Sequence, residues 1–198
     1  MALPFFTVGH STRTVPELVD LLRAGQVAMV VDVRTVPRSR TNPQFNLDVL
    51  GETLAACQIG HTRIEALGGL RKRSPDVPPE INGWWSNRSF HNYADHALSE
   101  EFRNGLDELI ALGRDRRVAV MCSEAVWWRC HRRLIADRLL ARGEAVFHLM
   151  GEDRVEPAKL SEGANIEDGL VTYPAPVAAS EGTRLGDGAF PGQGASDR

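Results

Sequence analysis

Long hydrophobic runs, a dense set of cysteines and net positive charge are all missing from this chain. No apolar run approaches the roughly 20 residues that a membrane helix needs, so neither a spanning segment nor a membrane partner is expected. Only three cysteines, at 57, 122 and 130, occur in 198 residues. An odd count without framework spacing excludes a disulfide-built scaffold and points to reduced thiols in a cytoplasm. The formal net charge is −3, which excludes a uniformly basic nucleic-acid-coating surface and leaves anion binding to local arginine clusters. The opening MALPFFTVGH has no basic n-region and no long apolar h-region, so a signal peptide is not expected. Internal repeats are absent.

What remains is ordinary globular composition in a length that favours one domain over two. The central stretch runs from Val118 to Leu149. VAVM is too short for a helix and reads as a buried strand ending in Cys122. After a loop, Leu134, Ile135, Ala136, Leu139 and Leu140 recur at helical spacing, Gly143 suits a left-handed helix stop, and AVFHLM forms the next strand. Upstream, Phe5–Gly9 is a strand running into His10 and Ser11. Thr14 with Glu17 makes a capping box for a helix that buries Leu18, Leu21 and Leu22. VAMVVDVR, Val27 to Arg34, is apolar almost throughout, as parallel strands covered on both faces are. Asn46 is expected to cap a helix carrying Leu47, Leu50 and Leu54, and HTRIEAL gives a weaker strand. Gly68 to Ser89 is an irregular Gly- and Pro-rich loop of the kind used as a lid or binding segment, or left disordered. Phe90–Leu98 forms a short helix, and Ser99 caps a clearer one holding Phe102, Leu106, Leu109 and Ile110. Alternating strands and helices predict a single α/β domain with a mainly parallel central sheet over residues 1–155. Residues 156–198 form a C-terminal extension in which patterning fades, partly disordered over the small, polar stretch from Ala175.

In such a sheet, ligands bind at the carboxyl ends of the strands. His10 and Ser11, Asp32 and Arg34, and Cys122 with Glu124 all occupy that rim. Cys122 is a nucleophile or a small buried strand residue, with Arg129, Arg132 and Arg133 downstream to stabilise a thiolate. Glu124, His10 and Asp32 are the acid/base candidates, Asp32 and Arg34 alternatively a structural ion pair. Cys130, His131 and Arg132 open the following helix, where backbone amides attract anions. Cys122, Cys130 and His131, with His10 as a fourth, offer zinc's preferred ligands, although the spacing matches no named zinc module. Arg38 and Ser39 suit phosphate contacts, as do Arg40, Arg63, Arg71, Lys72, Arg73 and Arg88, against the plainer reading of scattered surface cations. The tryptophan pairs Trp84–Trp85 and Trp127–Trp128 suit base stacking or packing of loop on core.

Six ordered motifs carry a resemblance: TVGHS (Thr7–Ser11), DVRTVPRSR (Asp32–Arg40), PQF (Pro43–Phe45), ALGGLR (Ala66–Arg71), FHNYAD (Phe90–Asp95) and MCSEAVWWRCHRRLIADRLLARG (Met121–Gly143). Together they resemble the domain-of-unknown-function family numbered 488, over about residues 7 to 149. The resemblance implies an α/β domain with a polar site built from these motifs, Tyr93 among them. VVDVR followed by VAVMC, a loop, a helix and a strand also looks like rhodanese and Cys-loop phosphatase domains. There a strand-end thiolate is cradled by backbone amides and an arginine. Here Arg129 lies seven residues after Cys122, against five or six in those loops, and their wrapping glycines are missing.

The expected function is therefore an enzyme, a hydrolase (base excision in DNA repair included) or a thiol-dependent transferase. Its site is Cys122, Glu124, His10 and Asp32, with Ser11, Arg34, Arg38, Ser39, Tyr93, Trp127, Trp128, Cys130, His131 and Arg132 binding an anionic small molecule or nucleic acid, and no cofactor. The alternatives are a non-catalytic nucleotide or nucleic-acid module and a Cys/His metal protein.

Overall fold

A computed structural model describes residues 2–151 and 154–176. Eight strands and five helices follow in order: β1 (Phe5–Gly9), α1 (Val15–Ala24), β2 (Met29–Asp32), α2 (Leu47–Ala55), β3 (Gly60–Arg63), α3 (Arg88–His96), α4 (Glu100–Gly113), β4 (Val118–Cys122), α5 (Arg132–Ala141), β5 (Val146–Gly151), β6 (Arg154–Pro157), β7 (Asn165–Glu167) and β8 (Leu170–Thr172). The main sheet has six strands in the order β3-β2-β4-β1-β5-β6. β1 to β5 run parallel and β6 closes one edge antiparallel to β5. This is the mainly parallel α/β domain that strand–helix alternation predicts.

Both faces of the sheet are covered, which is why its central strands are apolar throughout. Leu18, Leu21 and Leu22 of α1 join Leu50 and Leu54 of α2 over Phe6, Val8 and Val30. On the opposite face Phe102, Leu106 and Leu109 of α4 and Leu134, Ile135 and Leu139 of α5 pack on Phe5, Val118 and Val120. The helix ends obey local chemistry. Thr14 and Glu17 form the reciprocal capping box, and Ser99 accepts from the Phe102 amide. Gly143 takes φ +80°, the left-handed geometry that stops α5 without a Cβ penalty. Asn46 occupies the cap position of α2 but leaves the helix amides alone; its Oδ1 accepts the Ser39 amide at 2.7 Å instead, pinning the loop after β2.

Packed structure continues past residue 155, where the sequence patterning fades. β6 belongs to the main sheet, and β7 and β8 form a separate hairpin. Val171 and Tyr173 are fully buried. The Tyr173 hydroxyl donates to Asp137 Oδ2 of α5 at 2.8 Å, the Ser161 amide reaches Asp137 Oδ1 at 3.0 Å, and the Tyr173 amide reaches Asn82 Oδ1 at 3.1 Å. Burial raises the Asp137 pKa against these hydrogen bonds. The segment was invisible to periodicity because its contribution is two isolated side chains rather than a patterned element. Residues 177–198, most of the polar stretch from Ala175, lie outside the described residues.

The Gly68–Ser89 loop is anchored by the same region. Trp85 is buried between Phe90 (ring centroids 4.8 Å apart) and Tyr173 (5.2 Å), and the Asn82 amide donates to Asp95 at 2.8 Å. Trp84 and Trp85 thus pack loop on core. Replacing Tyr173 with Ala removes this anchor from both α5 and the loop. The expected loss is about 3–5 kcal/mol of unfolding free energy, measured by urea denaturation; a change below about 1 kcal/mol would show the segment to be merely draped on the domain.

Candidate functional site

Parallel register places the expected rim. Gly9 lies opposite Cys122, and Asp32 opposite Met121, so three strands end level with one another. The ladder runs on past the strand ends: the His10 amide donates to the Cys122 carbonyl at 3.0 Å, Ser11 to Ser123 at 2.9 Å and Val33 to Met121 at 3.0 Å. Ser11 holds a left-handed φ of 47°, a strained setting for a residue with a Cβ. Two hollows open at this rim and share Arg34, Val36 and Ser123. The first, about 420 Å³, has Cys122, Cys130, His131, Glu124 and Arg129 in its wall. The second, about 360 Å³, is bordered by His10, Ser11, Arg38 and Ser39.

Arg34 stands between them and is 5 % exposed. Its Nε donates to both Asp32 oxygens (2.9 and 3.1 Å), and its Nη2 donates to Asp32 Oδ2 and to the Phe45 carbonyl (2.8 Å). Its Nη1 reaches His10 Nε2 at 3.1 Å. Arginine cannot accept, so His10 Nε2 must, and the His10 proton sits on Nδ1, donating to the Ser11 carbonyl at 3.0 Å. Burial, reinforced by Arg34, lowers the His10 pKa to about 4. His10 is therefore a neutral spacer that orients Arg34, its lone pair already engaged. Of the five guanidinium donors, one N–H on Nη1 keeps no protein partner among the described residues. Burial alone would push the fully buried Asp32 upward, yet His61 and Arg34 outweigh it and hold the carboxyl at about 2. His61 acts as a nearby dipole or charge, since its Nε2 stays 3.9 Å away.

The second cluster comes from the end of β4 and the start of α5. The Sγ atoms of Cys122 and Cys130 and Nδ1 of His131 lie within 4.8 Å of one another. His131 Nε2 faces the Val33 carbonyl at 3.1 Å and must donate to it, which leaves Nδ1 bare, 3.7 Å from Cys130 Sγ and 4.0 Å from Cys122 Sγ. Tyr93 packs on the same ring with centroids 5.0 Å apart. A Cβ on Gly69 would come within 2.4 Å of His131 Nδ1, so that wall requires glycine. Arg132 is 1 % exposed, with Nε donating to Cys130 Sγ at 3.3 Å and Nη2 to the Glu124 carbonyl. Gly9 makes room for this: a Cβ there would overlap the Glu124 carbonyl. Contact with the Cys122 thiol, helped by Arg132, lowers the Cys130 pKa, while that contact and burial raise Cys122. The Arg132 guanidinium, in contact with Cys130 Sγ, favours negative charge on that sulfur over Cys122.

Cys122, Glu124, His10, Ser11, Arg34, Arg38, Ser39, Cys130 and His131 all border the hollows. Five expected site residues do not. Asp32 is spent on Arg34. Arg132 folds back beneath the loop. Tyr93 is fully buried, its hydroxyl donating to the Leu67 carbonyl at 2.8 Å, with burial raising its pKa. Trp127 stacks on His148 (4.3 Å, 8° between planes), and Trp128 is exposed at Trp127's edge. Arg63 and Arg71 serve as internal clamps, donating to the Thr35 carbonyl and to the Gly68, Glu65 and Ala66 carbonyls. Sequence reasoning missed Gly69, Leu70, Asn87, Ser89 and Phe90 as the far wall of the first hollow. The signals of it were the excessive length of that loop and the ALGGLR and FHNYAD motifs, which carry Gly69, Leu70 and Phe90.

Buried histidines, His10, His148 and His96, set a pH window for stability. Burial holds His10 and His148 at about 4, His148 accepting or donating at Thr7 Oγ1 (2.8 Å) with Arg132 adding to the effect. An unfolded imidazole titrates near 6.5. Between these values the unfolded chain binds protons that the folded chain refuses, so stability is full above roughly pH 6.5 and falls toward pH 4. Asp32 affects only lower pH. The thermal midpoint is expected to drop steadily from pH 7 to pH 4 and to drop less in His148→Gln; a flat wild-type profile contradicts this.

The family described as Domain of unknown function DUF488 matches residues 14–139, well over half the chain, and includes Asp32, Arg34, Cys122, Cys130 and His131. No curated protein matches, and no solved structure does. The likeness to rhodanese is not shown by any of these comparisons. By its sequence, the chain belongs to the DUF488 family.

Proposed function

We propose that this chain is a hydrolytic enzyme acting on a small phosphate-bearing substrate held in the cleft that the two hollows form around Arg34. The observation that carries this reading is the position of Arg34, a buried guanidinium with one N–H uncommitted among the described residues, between the Cys122–Cys130–His131 cluster and the Ser11, Arg38 and Ser39 rim. Charged groups perturbed from their ordinary behaviour and gathered in a concave site mark reactive centres more often than passive ones. Arg34 and Arg129 supply the anion contacts, and guanidinium forks suit phosphate oxygens. Arg38 reaches the rim from outside, 3.5 Å from Asp48 in an exposed pair that screening renders weak. The reacting atom would meet the thiol–imidazole cluster. Glu124 is the one exposed carboxylate in that wall, its Oε1 only loosely engaged by the Val126 amide at 3.4 Å, so it is free to take a proton.

A small substrate is preferred to an extruded nucleobase because neither Trp127 nor Trp128 borders the cleft, and Phe90 in its wall is already stacked on Trp85 at 4.8 Å. Base excision through Asp32 also loses its attacking base, since both carboxylate oxygens are bonded to Arg34.

A panel of phosphomonoesters, phosphodiesters and nucleotides tests the reading. Turnover is expected on at least one, with inorganic phosphate inhibiting competitively. Cys130→Ser should lower kcat/KM by at least about a hundredfold. Arg129→Ala should raise KM with little change in kcat, as loss of a uniform binding contact does, and Trp128→Ala should change neither. Absence of turnover across the panel, or full turnover in Cys130→Ser, would overturn it.

A further inference from the structure

We propose that Cys122 Sγ, Cys130 Sγ and His131 Nδ1 bind one zinc-class divalent ion, with a fourth coordination position opening into the cleft. The inference rests on reading that cleft as the reactive site and names what its thiol–imidazole wall holds.

Three independent features carry it. The first is ligand geometry. Around a tetrahedral zinc with bonds of about 2.3 Å to sulfur and about 2.0 Å to nitrogen, sulfur and nitrogen ligands sit roughly 3.5 Å apart. The two sulfur–nitrogen separations here are 3.7 and 4.0 Å, and all three atoms fall within 4.8 Å. Small rotamer adjustments close the set onto an ion. The second is the tautomer. Nε2 of His131 donates to the Val33 carbonyl, which fixes the ring and presents the bare Nδ1 to both sulfurs. Metal-binding histidines carry this outer hydrogen bond almost without exception. Hydrogen bonding among the three groups is a poorer account, because one lone pair on Nδ1 can accept only one thiol proton at full strength. The third is access. Cys122, Cys130 and His131 all line the same hollow, although both cysteines are more than nine-tenths buried.

Two thiolates and an imidazole are soft and borderline donors, which select zinc-class ions over magnesium or calcium. On binding, each thiol releases its proton to solvent and two thiolates neutralise the divalent charge. Arg132, with Nε on Cys130 Sγ at 3.3 Å, then acts from outside as a charged hydrogen-bond donor to one ligand. Three protein ligands with an open fourth position is the pattern of reactive rather than structural zinc. The open position takes water or a substrate oxygen, and Glu124 stands in the same wall to receive a proton from that water. The wide sequence gap between Cys122 and Cys130 follows from the fold: one ligand ends a strand, and the other two precede the next helix.

The test is titration of the metal-free full-length chain with Co2+, followed by absorption. One equivalent is expected to bind with an intense thiolate-to-cobalt charge-transfer band and a tetrahedral visible spectrum. Cys122→Ser, Cys130→Ser and His131→Gln should each weaken binding by at least about a hundredfold, whereas Cys57→Ser should leave it unchanged. A second measurement needs no variant: Zn2+ should slow alkylation of Cys122 and Cys130 in the wild-type chain while leaving Cys57 unaffected. Absence of the charge-transfer band, an unaltered titration in both cysteine variants, or equal alkylation rates with and without Zn2+ would each overturn the site. The thiolate signature in a chain that turns over no phosphoester would retain the metal site and remove the proposed function. Turnover by a chain that shows no such signature would do the reverse.

Discussion

A buried guanidinium binds two strand ends and the turn before α2 into one surface. Arg34 follows β2, donates twice over to Asp32 of the same strand, reaches His10 at the end of β1 and holds the Phe45 carbonyl before α2. Such a pair adds little net stability compared with apolar residues of the same volume, because both charges have left water. Losing one member is different: an unpaired buried charge typically costs about 3–5 kcal/mol. The arrangement therefore reads as a device for holding one N–H in a fixed place. Among the described residues every donor except that one is engaged, and the strands that position it are almost wholly buried.

The same register explains the thiol cluster. β4 ends level with β1 and β2, so Cys122 arrives beside the loop carrying Val33 and Arg34. The loop from Ser123 to His131 then turns back over the rim. Arg132 underpins it by reaching the Glu124 carbonyl through the gap that Gly9 leaves. Cation donors and soft ligands thus face one cleft because the sheet is parallel and flush, rather than because any local motif gathers them.

Much of this was legible in the chain. The apolar runs 27–34 and 118–122 contain the parallel strands β2 and β4, their polar exits are the rim, and Thr14, Glu17, Ser99 and Gly143 punctuate helices as their chemistry requires. What stayed hidden depends on where a long side chain turns after its backbone is placed. Arg132 and Arg129 are three residues apart; the first folds inward to a sulfur and the second lines the cleft. Tyr93 and Trp127 look like binding residues in sequence, but each finds a partner in the interior, the Leu67 carbonyl and the His148 ring. Asn46 has the chemistry of a cap and a closer amide to satisfy, that of Ser39. The contribution of Val171 and Tyr173 leaves no periodic trace, since two buried side chains in a short hairpin carry it.

The central claim is that the anion contacts and the thiol–imidazole cluster share a single cleft. The most direct measurement is the rate at which iodoacetate alkylates Cys130 in metal-free protein as inorganic phosphate is added. If Arg34 and Arg129 hold phosphate beside the sulfur, alkylation slows with rising phosphate while the rate at Cys57 stays constant. An unchanged rate at Cys130 up to saturating phosphate would place anion and thiol in different sites and contradict the account.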